Sequence, residues 1–184
     1  MNIVGIDPSL TAAGIAILSS PATADTPNAP RLASVGASGK RGASLPERSI
    51  RVGDQTARIL KAMPPSVRLV VIEALPLGVP NPNAASLYQE RAALVIRLVE
   101  WLARRKIPVV DVSTSTLKKF ATGNGRAEKA EVVDAMRSLW PHAVVRDDNQ
   151  ADALALATAG AMYLGWHEPE LPHHYEPNIN WGQV

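Results

Sequence analysis

Four acidic residues that are spread over most of the chain could do chemistry together: Asp7, Glu73, Asp148 and Asp152. Asp7 follows the apolar run IVGI, and Glu73 follows the apolar run LVVI, so that both carboxylates end strand-like segments. A carboxylate at the edge of a buried sheet is costly to desolvate unless a cation neutralises it. The pattern therefore predicts a metal site.

The other two acids share a helical segment with a neighbouring amide. Positions three or four apart lie on one face of a helix, so that Asp152 lies one turn after both Asp148 and Asn149. Three or four oxygen ligands suit a hard ion such as Mg²⁺ or Mn²⁺. The chain contains no Cys, which excludes disulfides and thiolate ligands.

The elements that must position these residues form an α/β pattern. We predict strands over 2–7, 13–18, 31–35, 67–72 and 107–112, and helices over 46–63, 84–105, 114–121, 128–139 and 149–164. This order predicts a mixed central sheet flanked by helices on both faces, with Asp7 and Glu73 on neighbouring central strands. The long second helix carries an apolar stripe that is expected to be mainly core, with a part left for contact with a second copy of the chain: Leu87, Leu94, Val95, Leu98 and Leu102.

Length and composition favour one domain. The 184 residues fit a single domain of about 100 to 200 residues, which we assign to 1–165, followed by an extended C-terminal tail over 166–184. No apolar stretch approaches the roughly 18 residues that span a bilayer, and no signal peptide is visible, so we expect a cytoplasmic protein without a membrane partner. The sequence GNG matches no nucleotide-binding fingerprint, so no nucleotide cofactor is expected.

The charges are distributed unevenly although their sum is only +2. Eight Lys and Arg residues lie between Arg31 and Arg68, and eight more between Arg97 and Lys129, whereas the chain from Glu131 onward has eight acids. An anionic partner responds to such a distribution more than to the net charge. Basic segments beside an acidic cluster favour phosphate binding around a metal centre.

Four segments resemble the signature segments of RuvC-type Holliday junction resolvases: GIDPSLTAAG, VVIEAL, STLKKFATGNGRAEKAEV and NQADALALA. The resemblance extends from residue 1 to about residue 165 and includes the spacing of the segments. It implies an RNase H-like fold, a homodimer, and an endonuclease that places paired metal-dependent nicks symmetrically in four-way DNA junctions.

The resemblance also implies roles for individual residues. Asp7, Glu73 and Asp152 match metal ligands, and two Mg²⁺ ions are expected, with Mn²⁺ able to substitute and Asp7 as the bridging ligand. The family presents an acid or a histidine three residues before the last aspartate, where this chain has Asn149. Either Asn149 or the neighbouring Asp148 is then the fourth ligand, and we favour Asp148.

A basic loop of the family corresponds to the segment from Lys118 to Lys129, and these two lysines match its catalytic positions. Glycines in such a loop permit positive backbone dihedrals and a close approach to phosphate, while lysines supply mobile charges. We expect DNA contacts in this loop and in the basic SGKRGAS segment from the following residues: Lys118, Lys119, Gly123, Asn124, Arg126, Lys129, Lys40 and Arg41.

The chain departs from the family after the strand-end glutamate, where an aromatic residue often stacks on a base. Here Leu75 or Leu77 would act as an apolar wedge instead. Two other functions stay open beside the resolvase. One is a nuclease of the same fold that cuts other branched DNA or RNA–DNA hybrids, and the other is a junction-binding protein without catalysis.

Overall fold

The computed structural model describes residues 1–21, 29–75, 85–167 and 179–182. Within these ranges the chain forms five strands and five helices. The strands are β1 (Asn2–Asp7), β2 (Ala13–Ser19), β3 (Arg31–Val35), β4 (Val67–Glu73) and β5 (Val109–Val112). The helices are α1 (Leu45–Ala62), α2 (Ala85–Arg104), α3 (Thr114–Thr122), α4 (Lys129–Leu139) and α5 (Asp148–Tyr163).

The five strands form one mixed sheet in the order β3-β2-β1-β4-β5. β1 and β2 form an antiparallel hairpin that β3 extends, whereas β1, β4 and β5 run parallel. Ile6 lies opposite Ile72 in the β1–β4 pair, so that the next residues, Asp7 and Glu73, end adjacent parallel strands. The predicted placement of these two acids on neighbouring central strands is confirmed.

Both faces of the sheet are covered, as the sequence predicts. Buried residues form two clusters, one under α3, α4 and α5 and the other under α1 and α2. Successive residues of one strand belong to different clusters: Ile3 packs into the first, and Val4 and Ile6 pack into the second. A strand that is buried on both faces reads as a continuous apolar run, which is why β1 and β4 are recognisable in the sequence.

Helix α5 approaches the sheet unusually closely. A Cβ atom on Gly5 would lie 2.0 Å from the backbone oxygen of Ala153, and a Cβ atom on Gly14 would lie 1.8 Å from that of Asn149. Any larger residue at either position would push α5 away from β1 and β2. These two glycines therefore bring the start of α5 beside the end of β1.

Two details of α2 and β5 differ from the prediction. Leu94, Leu98 and Leu102 are fully buried, whereas Leu87 is 58% exposed and lines an open cavity, so it lies outside the core part of the stripe. The predicted strand over 107–112 is shorter and begins at Val109.

The described part of the C-terminal region returns to the domain. Ile179 and Trp181 pack against the cluster under α5, and Trp181 stacks on Tyr163 with ring centroids 4.3 Å apart. The rest of the predicted tail, 168–178 and 183–184, lies outside the described residues. Among the helices that the structure describes, none is both long and apolar enough to cross a membrane.

Candidate functional site

A cavity of about 510 Å³ opens at the carboxyl ends of β1 and β4. Residues from strands, helices and the β1–β2 turn meet there, and charged side chains of both signs face each other. Three of the predicted acids line it, namely Asp7, Glu73 and Asp152, together with the predicted lysines Lys118 and Lys129. The structure thus brings together residues that are up to 145 positions apart, from Asp7 to Asp152.

The two strand-end acids are held by the sheet. Asp7 and Glu73 are each only 6% exposed. The Thr114 hydroxyl, in the first turn of α3, donates a 2.6 Å hydrogen bond to Glu73 Oε1. The Ser113 hydroxyl caps this helix by accepting from the backbone N–H of Thr116. The cap fixes the start of α3, and α3 in turn fixes the Glu73 carboxylate.

The third acid is positioned by the start of α5. Asp147 caps this helix by accepting a 2.8 Å hydrogen bond from the backbone N–H of Gln150. It also accepts a 2.7 Å hydrogen bond from the Ser34 hydroxyl on β3, which ties the first turn of α5 to the edge of the sheet. Asn149 and Asp152 then lie on the turn that faces the cavity.

Burial and mutual repulsion raise the pKa values of two of the carboxyl groups. Burial, and next the neighbouring Glu73, raises the pKa of Asp7 to about 8, although Arg91 acts in the opposite direction. Burial, followed by the charges of Glu73 and Asp148, raises the pKa of Asp152 to about 6. Carboxylates that resist ionisation in this way gain most from a bound cation, since neutralisation offsets the desolvation.

Arg91 on α2 supplies a cation that contacts two of these acids directly. Its guanidinium bridges Glu73 Oε2 and Asp7 Oδ1, the latter at 3.5 Å, and its Nε–H donates to the Pro8 carbonyl at 3.0 Å. Reasoning from the sequence missed this residue. A signal existed, because Arg91 interrupts the apolar stripe at helical spacing, four residues after Leu87 and three before Leu94.

The acids offer oxygen atoms that suit a metal ion, but two of these oxygens, Asp7 Oδ1 and Glu73 Oε2, are in contact with Arg91. Among the residues that the structure describes, no three acidic or histidine side chains are already arranged around one point as ligands of an ion. The donors of Asp7, Glu73 and Asp152 are nevertheless carboxylate oxygens lining one cavity, which is the donor set that Mg²⁺ and Mn²⁺ prefer. The residues therefore fit a hard divalent ion, provided that Arg91 leaves the carboxylates.

The two candidates for a fourth ligand face different surroundings. Asn149 lines the cavity, whereas Asp148 pairs with Lys129. The hydrogen bond from Lys129 lowers the pKa of Asp148, and the same bond raises the pKa of Lys129.

The predicted basic residues divide into two groups. Lys118 and Lys129 line the cavity, and Lys118 Nζ donates to the Ala127 carbonyl at 2.7 Å. Gly123 ends α3 with a φ of 81°, which confirms the positive dihedral expected in this loop. The other predicted DNA-contacting residues are exposed and do not line the cavity: Lys119, Gly123, Asn124, Arg126, Lys40 and Arg41.

Arg51 on α1 is a further cavity residue that the sequence did not reveal. Its Nη1 pairs with Glu90 at 3.1 Å, and Arg48 pairs with the same carboxylate at 2.7 Å. Glu90 directly precedes Arg91 in the sequence. Glu90 thus anchors α2 to α1, while Arg91 contacts the acids of the cavity. The α1–α2 contact therefore helps to place Arg91.

Leu75 follows the Glu73 strand end and is partly exposed, in a second hollow beside Ala74 and Val109. Its role as a wedge between bases stays a prediction. Leu77, the alternative, lies outside the described residues.

Comparisons with known proteins point to one family. The family model described as "Crossover junction endodeoxyribonuclease RuvC" matches residues 3–160. Among curated proteins of that name, the one from Synechococcus sp. (strain CC9311) is 30% identical over 163 residues, covering 87% of this chain and 98% of the relative. The one from Parasynechococcus marenigrum (strain WH8102) is 31% identical, with 87% and 97% covered.

Solved structures show the same fold. The structure of Thermus thermophilus RuvC in complex with a Holliday junction substrate has a TM-score of 0.65 and 23% identity, covering 92% of this chain and 99% of that one. A second structure of Thermus thermophilus RuvC also gives a TM-score of 0.65, at 22% identity and with the same coverage. The predicted RNase H-like α/β fold is confirmed.

Proposed function

The chain belongs to the RuvC family of crossover junction endodeoxyribonucleases, and we propose that it resolves four-way DNA junctions by paired, symmetric, metal-dependent nicks. One observation carries this proposal: three carboxylates from β1, β4 and α5 line a single cavity together with two lysines. The T. thermophilus RuvC structure with a Holliday junction substrate supports the same substrate class.

We propose that Asp7, Glu73 and Asp152 hold Mg²⁺, with Mn²⁺ able to replace it, and that Asp7 contributes to both of two ions. When bound, the ions would activate a water for in-line attack on the phosphodiester and stabilise the departing 3′ oxygen. The sheet keeps Asp7 and Glu73 side by side, and Thr114 orients the Glu73 carboxylate through its 2.6 Å hydrogen bond. Products with a 5′ phosphate and a 3′ hydroxyl are ready for ligation.

For the fourth ligand we propose Asn149, through its amide oxygen. The sequence favoured Asp148, whose carboxylate is instead engaged by Lys129. Asn149 lines the cavity with Asp152, one turn away on the same helix. A neutral amide also adds no further repulsion to a site that already contains three buried or half-buried carboxylates.

The basic side of the cavity would receive the DNA backbone. Lys118 and Lys129 line the cavity with the acids, and as point charges they can attract a phosphate without reading the bases. The exposed loop between them would extend the contact along the strand. Sequence readout should accordingly be modest, because backbone contacts position the substrate and carry no sequence information.

We further propose a homodimer, because two symmetric nicks in one junction require two active sites. Helix α2 exposes two apolar side chains, Leu87 (58%) at the cavity and Ile96 (64%) on another face of the helix, and either is available for a contact between copies. Since its substrate would be cellular or phage DNA, we place the enzyme in the cytoplasm.

The test is cleavage of a synthetic mobile four-way junction by the full chain in Mg²⁺, Mn²⁺ or EDTA. Linear duplex, a Y-shaped fork and an RNA–DNA hybrid serve as substrate controls, and Asp7→Asn is the paired variant. We expect symmetric nicks in the junction that need the metal and are lost in the variant. Equal cutting of the fork would broaden the substrate class, while tight junction binding without nicks in either metal would contradict the enzymatic proposal.

A further inference from the structure

Arg91 stands where the metal ions are expected. One guanidinium nitrogen, Nη2, contacts both Glu73 Oε2 and Asp7 Oδ1, and a different nitrogen, Nε, donates to the Pro8 carbonyl at 3.0 Å. The side chain is 29% exposed, so it reaches the carboxylates from the open cavity rather than from the core. The guanidinium can therefore leave the two acids by moving toward the open cavity.

Electrostatics explain why Arg91 contacts these two acids. Two buried carboxylates at adjacent strand ends repel each other, and isolated buried charges are costly. Arginine keeps its charge throughout the neutral pH range. The other cavity cations have separate partners: Lys129 pairs with Asp148, Lys118 donates to Ala127, and Arg51 pairs with Glu90.

A divalent ion at the strand ends would compete with Arg91 for the same two carboxylates. Arg91 contacts Oδ1 of Asp7 and Oε2 of Glu73, and the other oxygen of Glu73, Oε1, already accepts a hydrogen bond from Thr114. A guanidinium and a divalent ion held by the same two carboxylates also repel each other. Binding of the ion therefore opposes the contact by Arg91.

We propose that Arg91 is a positioning residue that acts as an exchangeable counter-ion: it neutralises and aligns Asp7 and Glu73 in the metal-free protein and is displaced from them when the metal binds. This inference rests on the proposed metal site. Because the ion must compete with Arg91, the arginine sets the metal concentration at which the site fills. The Glu90 pairs with Arg48 and Arg51 keep α2 in place during the exchange.

The experiment measures Mg²⁺ and Mn²⁺ affinity by calorimetry on the metal-free full chain without DNA, comparing wild type, Arg91→Gln, Arg91→Lys and the matched control Arg97→Gln. Arg97 is an exposed residue of the same helix, outside the cavity. Arg91→Gln should bind the metal about tenfold more tightly, the effect of one partly buried ion pair. Arg91→Lys, which restores the charge, should return toward wild type, and the control should not change.

Thermal unfolding supplies an independent reading. In EDTA the melting temperature of Arg91→Gln should lie below that of Arg97→Gln, and saturating Mg²⁺ should remove most of the difference, because the ion then takes over the neutralising role. A merely structural ion pair would leave the difference in place with and without metal, which would overturn the proposal.

The wild-type protein can be tested directly in case Arg91→Gln does not fold. The ¹⁵N–¹H signal of Arg91 Nε, identified by its loss in Arg91→Lys, should shift on Mg²⁺ titration, and rotation of the guanidinium should become faster. If metal binds with an unchanged Arg91 signal and an unchanged affinity in the variants, this inference fails while the proposed function stands. If no metal binds at all, both fail together.

Discussion

The strand-held and the helix-borne parts of the site are built in different ways. Asp7 and Glu73 end adjacent hydrogen-bonded strands whose flanking residues are buried on both faces, so their separation is set by the sheet. Asp152, Arg91 and Lys118 come from three helices, and their positions depend on caps, close packing and ion pairs. The strand part is therefore a fixed pair of carboxylates, the proposed metal ligands, and the helix part adjusts the charge around them.

The largest effect should come from the strand part. Asp7→Asn should lower single-turnover junction cleavage by about a thousand-fold, because metal stabilisation of the transition state amounts to several kcal/mol and each ~1.4 kcal/mol is tenfold. Junction affinity should be kept, as measured by gel shift in Ca²⁺. Because the variant replaces a buried carboxyl that resists ionisation with a neutral amide, its melting temperature in EDTA should not fall. A cleavage loss below tenfold would show that Asp7 is not a ligand.

Among the helix-borne residues, Lys118→Ala should have the next largest effect. Loss of its charge beside the carboxylates should slow cleavage by about 10- to 100-fold and should reduce the salt dependence of junction binding by about one unit of slope. Lys119→Ala is the matched control, since that side chain is exposed and does not line the cavity. Equal effects of the two substitutions on cleavage would mean that the lysine in the cavity has no special role.

The two neighbours at the start of α5 offer a sharper comparison. Asn149→Ala should weaken Mn²⁺ binding by about tenfold, within the range for groups that tune metal sites. Asp148→Ala should change it only a few-fold, because its carboxylate faces Lys129. Calorimetry on the metal-free chain distinguishes them. The reverse order would restore Asp148 as the fourth ligand.

The smallest effect is a pH dependence of stability in the metal-free protein. The folded-state pKa values of Asp7 and Asp152, about 8 and about 6, lie above the ~3.9 of an unfolded aspartate. Their stabilising contribution is therefore complete below about pH 4 and is lost as the pH rises through 6 and 8. The melting temperature in EDTA should fall between pH 5 and pH 8, and Mg²⁺ should raise it more at pH 8 than at pH 6.

Asp152→Asn removes the contribution that is lost near pH 6. Its melting temperature should be flatter than that of wild type between pH 5 and pH 7 and should still fall toward pH 8. Identical pH profiles for the variant and wild type would show that Asp152 ionises normally.

The sequence predicts the strand part well and the helix part only in outline. Apolar runs that end in an acid identify β1 and β4 because buried parallel strands leave a strong, local pattern. The start of α5 was identified, but the choice between Asp148 and Asn149 depends on which way one helical turn faces. That orientation follows from the Ser34–Asp147 hydrogen bond and from the close approach at Gly14, which join distant parts of the chain.

Arg91 and Arg51 show a second reason why the sequence does not predict the whole site. Each lies on a helix that reads as amphipathic, where an arginine is ordinarily a solvated residue. Their roles arise from the packing of α1 against α2 through Glu90, a contact that no local pattern encodes. Leu87 is the reverse case. Its spacing matches the buried apolar stripe, but its side chain is exposed because it lines an open cavity.

The most direct test of the central claim is a crystal structure of the full chain soaked in Mn²⁺, with anomalous scattering used to locate the metal. We predict manganese coordinated by carboxylate oxygens of Asp7, Glu73 and Asp152, with the Arg91 guanidinium moved off both strand-end acids. Manganese bound elsewhere, or an empty site with Arg91 still bridging Asp7 and Glu73 at saturating Mn²⁺, would contradict the account.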